Sequence, residues 1–93
     1  MNRAGFCIYV DTVCAGPVPL WRDELGNPVV YQSLADVQRE MAKEAIERFQ
    51  QFLDGERDFE DAATIEEYVV EVDVLPDGSI IDADGNCFGA GNW

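Results

Sequence analysis

The ionisable side chains are many but one-sided. Ninety-three residues carry nineteen Asp and Glu, six Lys and Arg, and no His. Nucleophilic catalysis needs a base beside the nucleophile, and histidine is its usual form. Lys43 is the only lysine, and the two serines, Ser33 and Ser79, fall where a helix cap and a hairpin turn are expected. No glycine loop suits a phosphate, because Gly85, Gly89 and Gly91 lead into neither a helix nor a lysine. Cys7, Cys14 and Cys87 are odd in number, match no zinc spacing and have no histidine to complete a site. They read as reduced thiols packing as small hydrophobes, since a disulfide would require an oxidising compartment. Asp82-Ala83-Asp84-Gly85-Asn86 invites comparison with a calcium loop. Its glycine falls at the fourth position rather than the sixth, and Trp93 stands where the bidentate glutamate belongs. Hairpin turns explain both Asp84-Gly85 and Asp77-Gly78 better. Carboxylate pairs could serve a glycosidase or a Mg²⁺ nuclease, but so short a chain offers little cleft and few cations to hold a phosphate. The expectation is therefore no enzyme, no catalytic or metal-ligating residue and no cofactor.

What remains is the charge itself, a net -13. Residues 1–53 hold seven acids and five bases, a net -2, whereas residues 54–93 hold twelve acids and Arg57 alone, a net -11. Phosphate contacts need Lys and Arg, so direct nucleic-acid binding is not expected, and anionic membrane surfaces fall by the same argument. No apolar run approaches the ~18 residues of a membrane-spanning helix. Gly5–Val10 is too short for a signal peptide and runs straight into Asp11, which points to a cytoplasmic location.

The elements that position these charges can be read from periodicity. The apolar content of 47% is enough for a core, and the length suits a single domain over residues 1–93. Phe6–Val10 reads as a central strand, because Phe6, Ile8 and Val10 on one face and Cys7 and Tyr9 on the other leave neither side wet. Val18–Arg22 reads as an edge strand, limited by Pro17 and Pro19, and Val29–Gln32 as a third strand after the Asp23–Pro28 turn; together they form a meander over 6–32. Ser33 caps a helix over 33–54, with Gly55 as its C-terminal stop. Its apolar stripe, Leu34, Val37, Met41, Ala45, Phe49, Phe52 and Leu53, is assigned to the core, and Glu44 and Arg48 are an i,i+4 pair in the favourable order. An acidic connection over 56–67 with one helical turn leads to a C-terminal hairpin over 68–88. In that hairpin Val70, Val72 and Val74 alternate with Glu71 and Asp73. Cys87-Phe88 is a candidate for further pairing, and 89–93 is a glycine-rich tail. The fold class is α+β: an antiparallel sheet of about five strands, in the order β-β-β-α-β-β, with one long amphipathic helix across it.

Two functions fit this outline. In the first, an acidic face built from Glu56, Asp58, Glu60, Asp61, Glu67, Glu71 and Asp73 occupies a basic surface of a partner protein, one that normally binds nucleic acid. Carboxylates on alternate strand residues repeat about every 7 Å and could match Arg and Lys on such a target. Asp77, Asp82 and Asp84 extend the row, and Trp21 and Trp93 are apolar candidates for contact. In size and charge the chain is similar to small acidic phage-encoded inhibitors of bacterial defence, including some anti-CRISPR proteins and other DNA mimics. That group shares no common fold, so the resemblance implies a mode of action and assigns no residue a role. The alternative is a small accessory or dimerisation domain of a larger bacterial complex, a homodimer among the options, with acidity serving solubility.

Overall fold

A computed structural model describes residues 3–90; Trp93 lies outside them. The architecture is α+β. Strands β1 (Arg3–Thr12) and β2 (Gly16–Pro19) precede a long helix, α1 (Leu34–Leu53), and a short one, α2 (Phe59–Ala63). Strands β3 (Tyr68–Val74), β4 (Ile80–Asp82) and β5 (Cys87–Phe88) close the chain. They form one five-stranded antiparallel sheet in the order β2-β1-β3-β4-β5.

β1 is central, as its two apolar faces require. It pairs with β3 over the whole run from Arg3↔Val74 to Tyr9↔Tyr68, and with β2 beyond it. β2 starts earlier than the sequence suggests. Leu20 donates its N–H to the Ile8 carbonyl at 2.8 Å, so the nitrogens of Pro17 and Pro19, one residue out of phase, point away from the ladder. At an edge that costs no hydrogen bond. The expected third strand at Val29–Gln32 is reduced to one bridge, Phe6↔Tyr31, with reciprocal backbone bonds of 2.9 and 2.8 Å. Pro28 precedes it and Ser33 must already turn away to cap α1, which leaves room for no more. The fifth strand comes instead from Cys87-Phe88.

The pleat divides the sheet into two sides. Cys7, Tyr9, Val72, Val74 and Ile80 form a buried cluster, with Val30, Tyr68, Val70 and Phe88 packed around it. Gly5 lies on this side because a Cβ there would stand 2.5 Å from Val30 Cγ1 and 3.3 Å from Val74 Cγ2. Phe6, Ile8 and Val69 face the other way, toward α1: Tyr31, directly opposite Phe6, feels the carboxylates of Glu40 and Glu44.

Both ends of α1 follow the sequence. Ser33 accepts a hydrogen bond from the Asp36 N–H at 3.1 Å. Gly55 takes φ +79°, and the Gly55→Phe52 and Glu56→Gln51 backbone bonds complete a left-handed stop. Its face does not follow. Val37 is the only fully buried side chain of α1, and Met41, Glu44, Ala45 and Arg48 are half-buried, whereas Phe49, Phe52 and Leu53 are exposed. The apolar stripe is wider than the strip the sheet can cover. α2 folds back on the C-terminal half of the helix, with Phe59 at ring-centroid distances of 5.3 Å from Phe52 and 6.3 Å from Phe49.

Placing a charge on α1 should therefore sort by line and not by hydrophobicity. Val37→Asp buries an unpaired carboxylate and should cost about 3 kcal/mol or more, whereas Ile46→Asp should leave the monomer within about 0.5 kcal/mol of the parent. Urea unfolding followed by circular dichroism measures both, and equal losses would mean that the helix is turned differently on the sheet.

Candidate acidic binding surface

Carboxylates in this fold do three different jobs. Some shape turns. Asp23 Oδ1 accepts from the N–H groups of Leu25 and Asn27 at 2.9 and 3.0 Å, and Asp82 Oδ1 accepts from those of Asp84 and Asn86, both at 3.0 Å. The two segments, Asp23-Glu-Leu-Gly-Asn27 and Asp82-Ala-Asp-Gly-Asn86, are one turn used twice. In each the glycine sits near φ +85° (Gly26 at 84°, Gly85 at 85°), and the Asp and Asn backbones close the loop. Only glycine adopts that conformation without strain. Asp77 accepts from both the Ser79 N–H and hydroxyl, which hold its carboxyl below the ordinary range. Asp77 and Asp82 are therefore committed to turns, and do not simply extend an open acidic row. The second oxygen of Asp82 also accepts the Tyr9 hydroxyl, at 3.2 Å.

Other carboxylates hold elements together. Glu67 accepts from Arg48 at 2.9 Å, with both side chains only 15% exposed, and the Arg48 Nε also reaches the Ala62 carbonyl at 3.3 Å. Arg48 therefore ties α1 to the connection that leads into β3, in place of the expected pairing with Glu44. Asp61 pairs with Arg57 at 3.0 Å, and Arg57 also donates to Gln51 at 2.8 Å. Arg48, Arg57, Asp61, Thr64, Glu66 and Glu67 surround a polar groove of about 190 Å³. In this groove Glu67 and Asp61 are already paired with cations.

Among the remaining carboxylates, the five candidates that face solvent fall in two groups, and Glu66 and Asp84 are exposed as well. Glu56, Asp58 and Glu60 are exposed on and before α2, and have no ion-pair partner among the described residues. Glu71 and Asp73 are exposed on β3, opposite Phe6 and Ala4, and line an open depression of about 230 Å³ with Val72, Ile81, Asp82 and Ala83. Like carboxylates crowded on a strand repel one another, so such a surface gains when a cation approaches. Trp21 is half-buried in the hairpin between β2 and α1, where its carbonyl accepts from the Val29 N–H at 3.1 Å. Among the described residues no group of three or more His, Cys, Asp or Glu is placed to hold a metal ion, and no helix is long and apolar enough to cross a membrane.

No protein family, curated protein or solved structure matches the chain.

Two solution measurements test these assignments. Cys7 is fully buried, and burial pushes its thiol up to about 12, whereas Cys14 and Cys87 are free and exposed. A native thiol titration should show two fast equivalents and release the third only on denaturation; three fast equivalents would contradict the packing of β1. The tyrosines respond to alkali. Burial and the Asp82 carboxylate raise Tyr9, the hydrogen bond to Asp11 raises Tyr68 to about 12, and burial raises Tyr31. Groups raised in the folded state lend stability that is complete below their unfolded value near 10 and is lost as pH climbs toward the folded value. Tyrosinate absorbance of the native chain should lag the denatured chain above pH ~10, with stability falling through that window. Superimposable curves would show that the tyrosines are not held.

Proposed function

We propose that the chain is an acidic protein-binding inhibitor that occupies a basic surface of a partner protein, one that normally holds nucleic acid. The observation that supports it is the set of exposed carboxylates with no internal cation: Glu71 and Asp73 on β3, and Glu56, Asp58 and Glu60 about α2. Solubility alone does not require a split of -2 against -11 between the two parts of one small chain. Segregated charge steers an oppositely charged surface and raises the association rate, which is the property an occluding inhibitor needs. A phage anti-defence inhibitor of the anti-CRISPR kind, mimicking DNA in the bacterial cytoplasm, is the form of this function that the size and charge match. The protein then acts by occupancy, without catalysis. The solvent-facing outer side of α1 favours a second reading, an accessory or dimerisation domain.

Arg48 and Glu67 stay out of the test, since reversing Glu67 would strand a half-buried guanidinium. Immobilised parent chain should capture nucleic-acid-binding proteins from a bacterial lysate, and a DNA duplex should compete them off. Capture should fall at least tenfold between about 50 and about 500 mM salt, as screening shortens the reach of exposed charges. The Glu71→Lys/Asp73→Lys variant should lose it, whereas Glu40→Lys/Glu47→Lys on the helix should not. Capture that withstands both salt and the strand reversals would exclude an acidic docking face.

A further inference from the structure

We infer that the outer face of α1 pairs with the same face of a second copy of this chain, antiparallel, to form a two-fold dimer. Ala35, Arg39, Ala42, Ile46, Phe49 and Leu53 recur at alternating intervals of four and three residues along the helix. That spacing is the seam of a helix pair. The seam lies opposite the line of Val37, Met41, Glu44 and Arg48 that meets the sheet, so the molecule's own fold leaves it open except where Phe59 of α2 borders Phe49. Ile46 is 68% exposed, Leu53 73% and Phe49 40%, and both alanines are exposed too. Phe49 is covered in part by Phe59 of α2, but Ile46 and Leu53 remain in solvent, a cost that nothing within the described residues relieves.

Charge identifies the occupant. Two copies at -13 each repel over most of their surfaces. The seam itself contains no carboxylate. Gln38, Ala45 and Phe52 flank it on one side, and Asp36, Lys43 and Gln50 on the other. The one flanking acid, Asp36, is already paired with Arg39 at 2.9 Å. This strip is thus a place where two strongly acidic copies can approach with no carboxylate on the seam itself; the nearest acids off the helix are Asp58 and Glu60, beside Phe59 of α2.

Side-chain size identifies the orientation. When two copies of α1 overlap along their full length antiparallel, Ala35 meets Leu53, Ala42 meets Ile46 and Arg39 meets Phe49, each pairing repeated across the two-fold axis. Small residues face large ones, and the guanidinium meets an aromatic ring, an attractive contact. A parallel pair would instead set Arg39 against Arg39 and bring together the acidic C-terminal ends at Asp54 and Glu56.

The test is the mass and cross-linking of the full chain. Sedimentation of the parent should move from 10.4 kDa to double that as concentration rises from about 1 to about 500 µM. Ile46→Glu should stay monomeric throughout with an unchanged circular dichroism spectrum, and Leu53→Lys gives the same information should that variant unfold. With Cys14 and Cys87 replaced by serine, Ala35→Cys and Leu53→Cys should each fail to form a disulfide with itself, but should form a mixed disulfide when combined. A parent that stays monomeric, an Ile46→Glu variant that dimerises as the parent does, or an Ala35→Cys chain that cross-links to itself would each overturn the proposal.

Discussion

The ladder between β1 and β3 is the constraint on which the rest of the structure depends. It joins residues near the start of the chain to residues 68–74, so the chain between them must leave one edge of β1 and return along the other. β2 occupies only the far end of β1's free edge, and Tyr31 takes a single bridge at the near end. α1 then carries the chain across one face, and α2 reverses it. The Arg48–Glu67 ion pair sits where this excursion ends, one residue before β3 begins, and anchors the helix to the point of re-entry. Breaking a half-buried pair from one side leaves the other charge poorly solvated, which makes this junction more consequential than the exposed pairs of α1. A second anchor is Asn27, almost fully buried. Its side-chain oxygen accepts from the Ala90 N–H at 2.8 Å and its amide reaches the Asp77 carbonyl at 3.4 Å, so one turn fastens two distant segments.

Much of this was legible in the sequence because the signals were local. Alternation in Phe6–Val10 and in Val70–Val74 identified strands with the correct faces, and Ser33 and Gly55 marked the ends of α1. The misreadings concern what lies across space. Hydrophobic spacing on α1 said that an apolar arc existed, but not how wide a strip a narrow sheet could cover; so Phe49, Phe52 and Leu53 were assigned to a core that stops short of them. Arg48 looked like the partner of Glu44 because a helix is the only geometry a sequence displays directly. Its actual partner, Glu67, is nineteen residues away. Val29–Gln32 had strand composition but too little free edge to pair with.

The acidic surface shows the same division. Sequence revealed the segregation of charge, and the structure reveals its uses. Both turns were read from composition, but the Asp-x-x-Gly-Asn pattern they share emerges only in the structure, where the carboxylate bonds two backbone N–H groups ahead. Turns therefore account for part of the acid excess after residue 54, through Asp77 and Asp82, and ion pairs for another part, through Asp61 and Glu67. Glu56, Asp58 and Glu60 about α2 and Glu71 and Asp73 on β3 are left exposed, together with Glu66 and Asp84. A partner that engaged both groups would have to present a basic cluster to each. The spaced rows of Arg and Lys that follow a nucleic-acid backbone are a surface of this kind.

The two proposed surfaces have opposite chemical character, and that opposition links them. The seam on α1 is apolar and free of acid, so its association resists salt, whereas the contacts of Glu71 and Asp73 weaken as salt rises. Pairing across a two-fold axis would double each acidic group without adding a new contact. Bivalent engagement raises the effective concentration of the second contact, provided that the spacing on the target matches. Individually weak, screened carboxylate contacts would then suffice for occlusion. An acidic chain of this length has little area to offer as a monomer, and a dimer whose seam carries no acid leaves Glu71 and Asp73 on β3 available to the target.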